Sequence, residues 1–252
     1  MRVFVVHKSV VFTVVITALI AVFLGVGAMP GAYPAAGEAP AALPIYSVET
    51  EEKKVAVTFN AAWGDEDIDS ILHTLAKKNI QCTFFLVGTW AEKFPGKVEK
   101  IKAAGHEIGG HSYDHAHFAK LSAAEVEADL AKCDESIRKI TGEAVKLFRA
   151  PYGEYTDSVV RMVRETGREM IQWDIDSLDW KGLSSEEMEA RILPRLTCGA
   201  ILLFHAGTAQ TAAALPSILE KIQNEGYSFT TVGALLHTGA YRVDHTGRQH
   251  PA

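Results

Sequence analysis

The sequence lacks the cysteine pattern of a disulfide-rich or zinc-ribbon protein. Its three cysteines, Cys82, Cys133 and Cys198, are far apart and form no CxxC pair, so we expect buried thiols. Positive charge is also not in excess: the formal net charge is −6, which argues against nucleic acid as a partner. Neither GxGxxG nor the GxxxxGKS/T motif follows any apolar run, which argues against nucleotide binding.

The N-terminus carries a long apolar run behind two basic residues. Arg2 and Lys8 precede the uncharged stretch 10–29, and about 20 apolar residues are enough to cross a bilayer as a helix. The basic flank predicts an inside N-terminus, so the rest of the chain would be extracytoplasmic and membrane-anchored. Small residues near Ala28 and Ala36 leave cleavage as a signal peptide open, in which case the protein would be secreted.

Four segments are expected along the chain. Residues 1–29 are the signal anchor or signal peptide, and residues 30–52, with four of the nine prolines, predict a semi-extended tether. Residues 53–237 are the folded catalytic-type domain. Residues 238–252, rich in Gly, His and Arg, are expected to be disordered.

Short apolar runs alternate with helical patterns through the folded segment. Strands are predicted at 55–59, 82–87, 106–110, 147–149, 169–175, 200–205 and 227–231. Helices are predicted at 67–79, 90–104, 122–140, 158–165, 185–196 and 211–224, and Ser122 with Glu125 forms a capping box before the longest one. This alternation predicts an α/β fold with about seven parallel strands: a distorted or incomplete (β/α) barrel, or an open doubly wound sheet.

Two histidines four residues apart, His111 and His115, follow the third predicted strand. At this spacing both imidazoles can reach one divalent metal ion, with zinc the usual occupant. Such a pair also occurs often by chance, so its meaning depends on what stands at the other strand ends.

Polar and aromatic residues stand at several other strand ends, where α/β folds collect their active sites. Asp176 or Asp179 can hold His205 as an acid that protonates a leaving amine, and Arg149 can bind a carboxylate. Two imidazoles and a carboxylate leave an open position on a metal ion for a bound water. These residue types therefore indicate hydrolysis of an amide or ester. The remaining candidates are Asn60, Asp65 and the possible sugar-binding residues Trp63, Pro151, Tyr152 and Trp180.

The ordered set resembles the polysaccharide deacetylases, the fourth carbohydrate esterase family, which includes the nodulation-type deacetylases. The resemblance covers residues 55–236 and looks closest to the membrane-anchored, sporulation-associated branch, on the run Ala62-Trp63-Gly64-Asp65-Glu66. The matching motifs are Thr58-Phe59-Asn60, His111-Ser112-Tyr113-Asp114-His115, Arg149-Ala150-Pro151-Tyr152-Gly153, Asp176-Ser177-Leu178-Asp179-Trp180 and Leu202-Leu203-Phe204-His205.

The resemblance implies a distorted (β/α) barrel, a divalent metal and removal of acetyl groups from chitin-like or peptidoglycan glycan of the cell wall. It implies His111 and His115 as metal ligands and His205 as the acid, oriented by Asp179 or Asp176. Arg149 would support the base, and the backbone N–H of Tyr152 would help bind the oxyanion.

One motif departs from the family pattern. The family usually has Thr-Phe-Asp-Asp, with the first Asp as base and the second as third metal ligand, whereas this chain has Asn60 and Ala61. Asn accepts no proton usefully and Ala binds no metal. We therefore consider Asp65 or Glu66 as a replacement, with Asp65 as the candidate third ligand. The alternatives to a working deacetylase are a degenerate glycan-binding homologue and a deacylase acting on another ester or amide.

Overall fold

The computed structural model describes residues 42–252, so the predicted anchor and most of the tether lie outside the described part. The helices are α1 Ile68–Lys77, α2 Gly88–Lys93, α3 Pro95–Ala103, α4 Ala123–Thr141, α5 Asp157–Glu165, α6 Ser185–Ile192, α7 Ala209–Asn224 and α8 Val232–Leu235. The strands are β1 Ser47–Val48, β2 Lys54–Ala61, β3 Thr83–Leu86, β4 Glu107–Gly110, β5 Leu147–Phe148, β6 Glu169–Met170, β7 Ile175–Asp176, β8 Ile201–Ala206, β9 Ser228–Thr230, β10 Tyr241–Val243 and β11 Arg248–Pro251.

The main sheet is a curled half-barrel of parallel strands. Its order is β6-β5-β4-β3-β2-β8-β7, and β9 pairs with the first part of β2. The outermost strands, β6 and β7, do not pair with each other, so the barrel stays open on one side. The predicted α/β fold with an incomplete barrel of about seven parallel strands is confirmed.

The central strand β2 separates the core from the inside of the half-barrel. Because side chains alternate along a strand, Val55, Val57 and Phe59 enter the main apolar core with the helices. There Phe59 stacks on Phe84 with the ring centroids 5.0 Å apart. The alternate residues, Thr58 and Asn60, are therefore left on the opposite face, which is the inside of the half-barrel.

The predicted strand 169–175 is in fact two strands at opposite edges of the sheet. β6 pairs with β5, β7 pairs with β8, and residues 171–174 cross the opening between them. Ile171 bridges to Ile45, and the Gln172 N–H donates to the Ile45 carbonyl at 2.7 Å. Part of the predicted tether therefore belongs to the fold, because Ile45 and Val48 are fully buried.

The C-terminal segment is ordered, so the prediction of a disordered tail at 238–252 is wrong. β10 and β11 form an antiparallel hairpin, and β11 pairs with β1 in a separate three-stranded sheet. The His250 imidazole lies between the carboxylates of Glu49 and Asp244, at 3.0 and 2.8 Å. The hairpin therefore joins the first strand of the described chain, β1, to its last strand, β11.

Three local predictions can also be compared with the structure. The predicted helix 90–104 is divided into α2 and α3, because Pro95 begins a new helix. The capping box is confirmed: the Glu125 N–H donates to the Ser122 hydroxyl, and the Ser122 N–H donates to the Glu125 carboxylate. Cys82 and Cys133 are buried as expected, but Cys198 is partly exposed.

No helix within residues 42–252 is long and apolar enough to cross a membrane.

Candidate active site

A cleft of about 460 Å³ lies over the inside of the half-barrel. β2, β4, β7 and β8, with the loops that follow them, supply most of its wall. The lining residues are Asn60, Trp63, His111, His115, Tyr152, Trp173, Asp176, Trp180, Leu203 and His205. The structure thus brings together in one cavity most of the residues that the sequence singled out separately.

His111 is held with one nitrogen available to a ligand. Its Nδ1 lies 2.7 Å from the Arg149 carbonyl oxygen, and since a carbonyl only accepts, Nδ1 carries the proton. The lone pair is then on Nε2, the tautomer that suits metal binding. Complete burial, with His115 close by, lowers the pKa of His111 well below its usual value, so the ring is neutral at pH 7.

The loop between His111 and His115 has a strained backbone and is held by hydrogen bonds to α4. Ser112 and His115 have φ of 69° and 64°, a left-handed conformation that non-glycine residues rarely adopt. The Asp129 carboxylate on α4 accepts hydrogen bonds from the Tyr113 N–H and the Ser112 hydroxyl, both at 2.9 Å. These contacts place the His115 ring 5.0 Å from the His111 ring, measured between centroids.

The described residues offer a metal ion two ligands and no third. Asp65 is not brought to the histidines: its carboxylate lies 3.5 Å from the Lys97 ammonium. Within residues 42–252, no group of three His, Cys, Asp or Glu side chains is arranged to hold a metal. Catalytic zinc sites use three protein ligands, so the residues present do not fit a complete site of that kind.

Arg149 is fully buried beneath the cleft, and no carboxylate within residues 42–252 is hydrogen-bonded to it, although Asp176 attracts its charge from further away. Its Nη1 donates to the Thr58 hydroxyl at 2.8 Å and to the Asn60 Oδ1 at 3.0 Å, and its Nη2 donates to the Gln172 carbonyl at 3.0 Å. Burial lowers the pKa of the Arg149 guanidinium to about 9, which still leaves it charged at neutral pH. The predicted link between Arg149 and position 60 exists, but it joins a cation to a neutral amide.

Asp179 and His205 form a hydrogen-bonded pair on the other side of the cleft. The fully buried Asp179 carboxylate accepts from His205 Nδ1 at 2.8 Å and from the His205 N–H at 2.6 Å. It also accepts from the Thr211 hydroxyl at 2.6 Å and from the Trp180 N–H at 2.9 Å. The sequence left Asp176 and Asp179 as alternatives, and the structure places Asp179 against the histidine.

Three large aromatic side chains stand exposed at the mouth of the cleft. Trp63, Tyr152 and Trp180 are 56%, 56% and 52% exposed, and all three line the cavity. Tyr152 stacks on His117 with the ring centroids 4.2 Å apart. Pro151 is buried beneath Tyr152 in the same short 3₁₀ turn, so it shapes the rim without lining it.

Sequence reasoning missed Trp173 and Leu203, which line the cleft, and Gln172, which contacts Arg149. Residues 172 and 173 were assigned to a continuous strand, where they would have been ordinary sheet residues. The polar residues Gln172 and Asp174 in the middle of this run were the available signal that the strand is interrupted.

With this geometry in hand, comparison with known proteins identifies the class. The half-barrel with its cleft is a fold that the chain shares with solved structures of CE4 family proteins. The family described as Polysaccharide deacetylase matches residues 47–171. The chain belongs to this family, which confirms the resemblance drawn from the five motifs.

Curated relatives include both uncharacterized and enzymatic proteins. The uncharacterized protein YlxY of Bacillus subtilis is 33% identical over 193 residues, which are 77% of this chain and 60% of that protein. A peptidoglycan-N-acetylglucosamine deacetylase of Bacillus cereus is 32% identical over 201 residues, covering 78% of this chain and 73% of that protein.

A solved structure with the same fold is a CE4 family pseudoenzyme from Bacillus anthracis. It has a TM-score of 0.75 and 33% identity, and the match covers 78% of this chain and 69% of that one. A mutant of that pseudoenzyme with restored enzymatic activity also matches, with a TM-score of 0.75, 33% identity and coverage of 78% and 72%. Similar proteins therefore include both active and inactive ones.

Proposed function

We propose that the chain binds N-acetylated cell-wall glycan in this cleft and removes its acetyl groups with a turnover reduced by the replacements at Asn60 and Ala61. The observation that carries the proposal is the Asp179–His205 pair. His205 lines the same cavity as His111 and His115, beneath an aromatic rim. The relative from Bacillus cereus named as a peptidoglycan deacetylase supports this class of substrate.

The aromatic rim and the dyad formed by Asp179 and His205 have separate roles in this proposal. Trp63, Tyr152 and Trp180 offer flat apolar faces on which a sugar ring can pack. Water adds to the carbonyl carbon of the acetamide, the C–N bond breaks, and the acyl group leaves as acetate. His205 keeps its Nδ1 on Asp179, so Nε2 is the nitrogen that can protonate the leaving amine. The buried carboxylate stabilises the imidazolium form needed for that step and fixes the ring.

The reduction in turnover follows from position 60. Asn60 uses its oxygen to accept from Arg149 at 3.0 Å, and an amide does not take up a proton at neutral pH. Loss of a general base costs about 10²–10⁴-fold in rate. The described residues do not complete a three-ligand metal set, so no step of the proposed reaction passes through a metal ion.

In this proposal His111 and His115 bind a divalent metal ion only weakly, and zinc is the expected ion. The neutral state of His111 supports such binding. Titration calorimetry with zinc should therefore show weak binding that His111→Ala abolishes. Zinc binding that survives this substitution would place the metal elsewhere.

The location of the protein is part of the same proposal. The predicted anchor at 1–29 would hold the cleft on the outer side of the membrane, where cell-wall glycan is found. Fractionation of the full-length chain, compared with a variant lacking residues 1–29, would test it: loss of membrane association is expected only in the variant.

A second candidate function is glycan binding without hydrolysis. It is favoured by the hydrogen bond that occupies Asn60 and by the similarity to a CE4 family pseudoenzyme. In this case the dyad would serve as part of a binding surface.

One experiment separates the two candidates. Acetate release and binding affinity should be measured with N-acetylglucosamine oligosaccharides for the wild type, His205→Gln and Trp63→Ala. Slow release that His205→Gln abolishes supports the deacetylase. Binding that Trp63→Ala weakens, without any acetate release, supports the second candidate, and absence of both binding and release contradicts both.

A further inference from the structure

We propose that the floor of the cleft is a docking point for a carboxylate group of the ligand, formed by the Asn60 side-chain amide and backed by Arg149. The proposal rests on the proposed function only in taking cell-wall glycan as the ligand class. The docking itself does not require hydrolysis.

The orientation of Asn60 is set by its neighbour. A guanidinium has only donors, so the Asn60 atom at 3.0 Å from Arg149 Nη1 is the amide oxygen. The Nδ2 amino group is then directed away from Arg149. It has no hydrogen-bond partner among residues 42–252, and Asn60 lines the cleft. Where the family pattern has a proton acceptor, this chain presents N–H donors.

The charge behind this amide is not held by a hydrogen-bonded carboxylate of the described chain. Arg149 is fully buried and its Nε has no hydrogen-bond partner. The Asp176 carboxylate attracts the guanidinium through space, but no hydrogen bond joins the two groups. A buried cation without a directly paired counter-ion is costly. An anion that accepts from Asn60 Nδ2 would approach this cation and stabilise it through the shared amide.

The other charged groups around the cleft favour the Asn60 side for an anion. Asp176 also lines the cleft, and its carboxylate accepts from the Leu178 N–H at 2.9 Å. Asp176 lies on β7 and Asn60 on β2, with β8 between these strands. The Asp179 carboxylate is already paired with His205. A ligand carboxylate would therefore be repelled from the β7 side and attracted towards Asn60.

The ligand chemistry is thus a single carboxylate with two accepting oxygens. It can come from two sources: the lactyl carboxylate of a muramic acid residue in the glycan, or free acetate, the acid half of the acetamide. Both would accept from the same amino group, and only the first would also pack on the aromatic rim.

The experiment compares a sugar acid with its neutral amide and with the free acid. Dissociation constants are measured by calorimetry for a muramic acid disaccharide with a free lactyl carboxylate, for its methylamide and for sodium acetate. The wild type should bind the acid at least about tenfold more tightly than the methylamide, as expected for one charge-assisted hydrogen bond. This preference should weaken at high salt.

Two variants at position 60 complete the test. Asn60→Asp supplies Arg149 with its own carboxylate, so the preference should disappear or reverse. Asn60→Leu removes the donors and should abolish the preference while methylamide binding persists. Thermal melting shows whether each variant is folded.

Equal binding of acid and methylamide by the wild type, with no acetate binding, would overturn the carboxylate site and leave glycan binding intact. A preference that persists in both variants would also overturn it. Acetate binding that depends on Asn60, without a preference for the sugar acid, would assign the site to the free acid.

Discussion

Replacing Asp179 with Asn tests whether the buried carboxylate organises the acid side of the cleft. The carboxylate accepts four hydrogen bonds, from the His205 N–H, His205 Nδ1, the Thr211 hydroxyl and the Trp180 N–H. An Asn side chain has one accepting oxygen, so its amino group must face at least one donor. Each hydrogen bond to a charged group contributes about 1.5–3 kcal/mol, so we expect a loss of about 2–5 kcal/mol in the free energy of unfolding.

Asp176→Asn is the matched control. Its carboxylate is only partly buried and accepts a single hydrogen bond, from the Leu178 N–H, so the same chemical change should cost about 1 kcal/mol or less. Urea unfolding followed by circular dichroism measures both variants under the same conditions. Equal losses for the two, or a loss below about 1 kcal/mol for Asp179→Asn, would refute the assigned role of the buried carboxylate.

Three further predictions concern stability. Ser122→Ala removes the capping box of α4 and should lower the free energy of unfolding, measured in urea, by about 1 kcal/mol. Ser158→Ala, at the second residue of α5, should lower it less, and equal losses would contradict the role of the cap. Burial lowers the pKa of His106 to about 4, so the native state resists a proton that the unfolded chain takes up below about pH 6.5. The contribution of His106 to stability should then fall by up to about 3 kcal/mol as pH drops from 6.5 to 4. His106→Asn, which keeps an acceptor for the Cys82 N–H, should make the fall of stability with pH less steep, and an unchanged slope would contradict this. Deletion of residues 238–252 removes the hairpin paired with β1 and should lower the melting temperature, and an unchanged temperature would show that the hairpin adds nothing.

The sequence alone was enough for the architecture, because each βα unit is specified locally. Short-range sequence patterns specify these units. Examples are the apolar runs of β2, β3 and β8 and the capping box at Ser122, each of which is complete within a few neighbouring residues. The interruption between β6 and β7 was not visible in this way, since it depends on the pairing of Ile171 with Ile45, which is distant in sequence. The C-terminal hairpin was missed for a similar reason: its partner is β1, at the other end of the described chain.

The candidate site was predictable in its members and less so in their contacts. His111, His115 and His205 stand at strand ends, and parallel strands bring those ends to one edge. The position of Asp65 depends on a loop that instead pairs this carboxylate with Lys97. The loss of a carboxylate at position 60 was visible in the sequence, whereas the hydrogen bond from Arg149 to Asn60 depends on three-dimensional packing.

The most direct test of the central claim is acetate release by the wild type and by Asn60→Asp/Ala61→Asp on N-acetylated cell-wall oligosaccharide. If the cleft is a deacetylase site limited at positions 60 and 61, the double variant should release acetate at least about 10²–10⁴-fold faster than the wild type, the gain expected from a restored base. His205→Gln in that background should abolish the gain. A folded double variant no faster than the wild type would contradict the account.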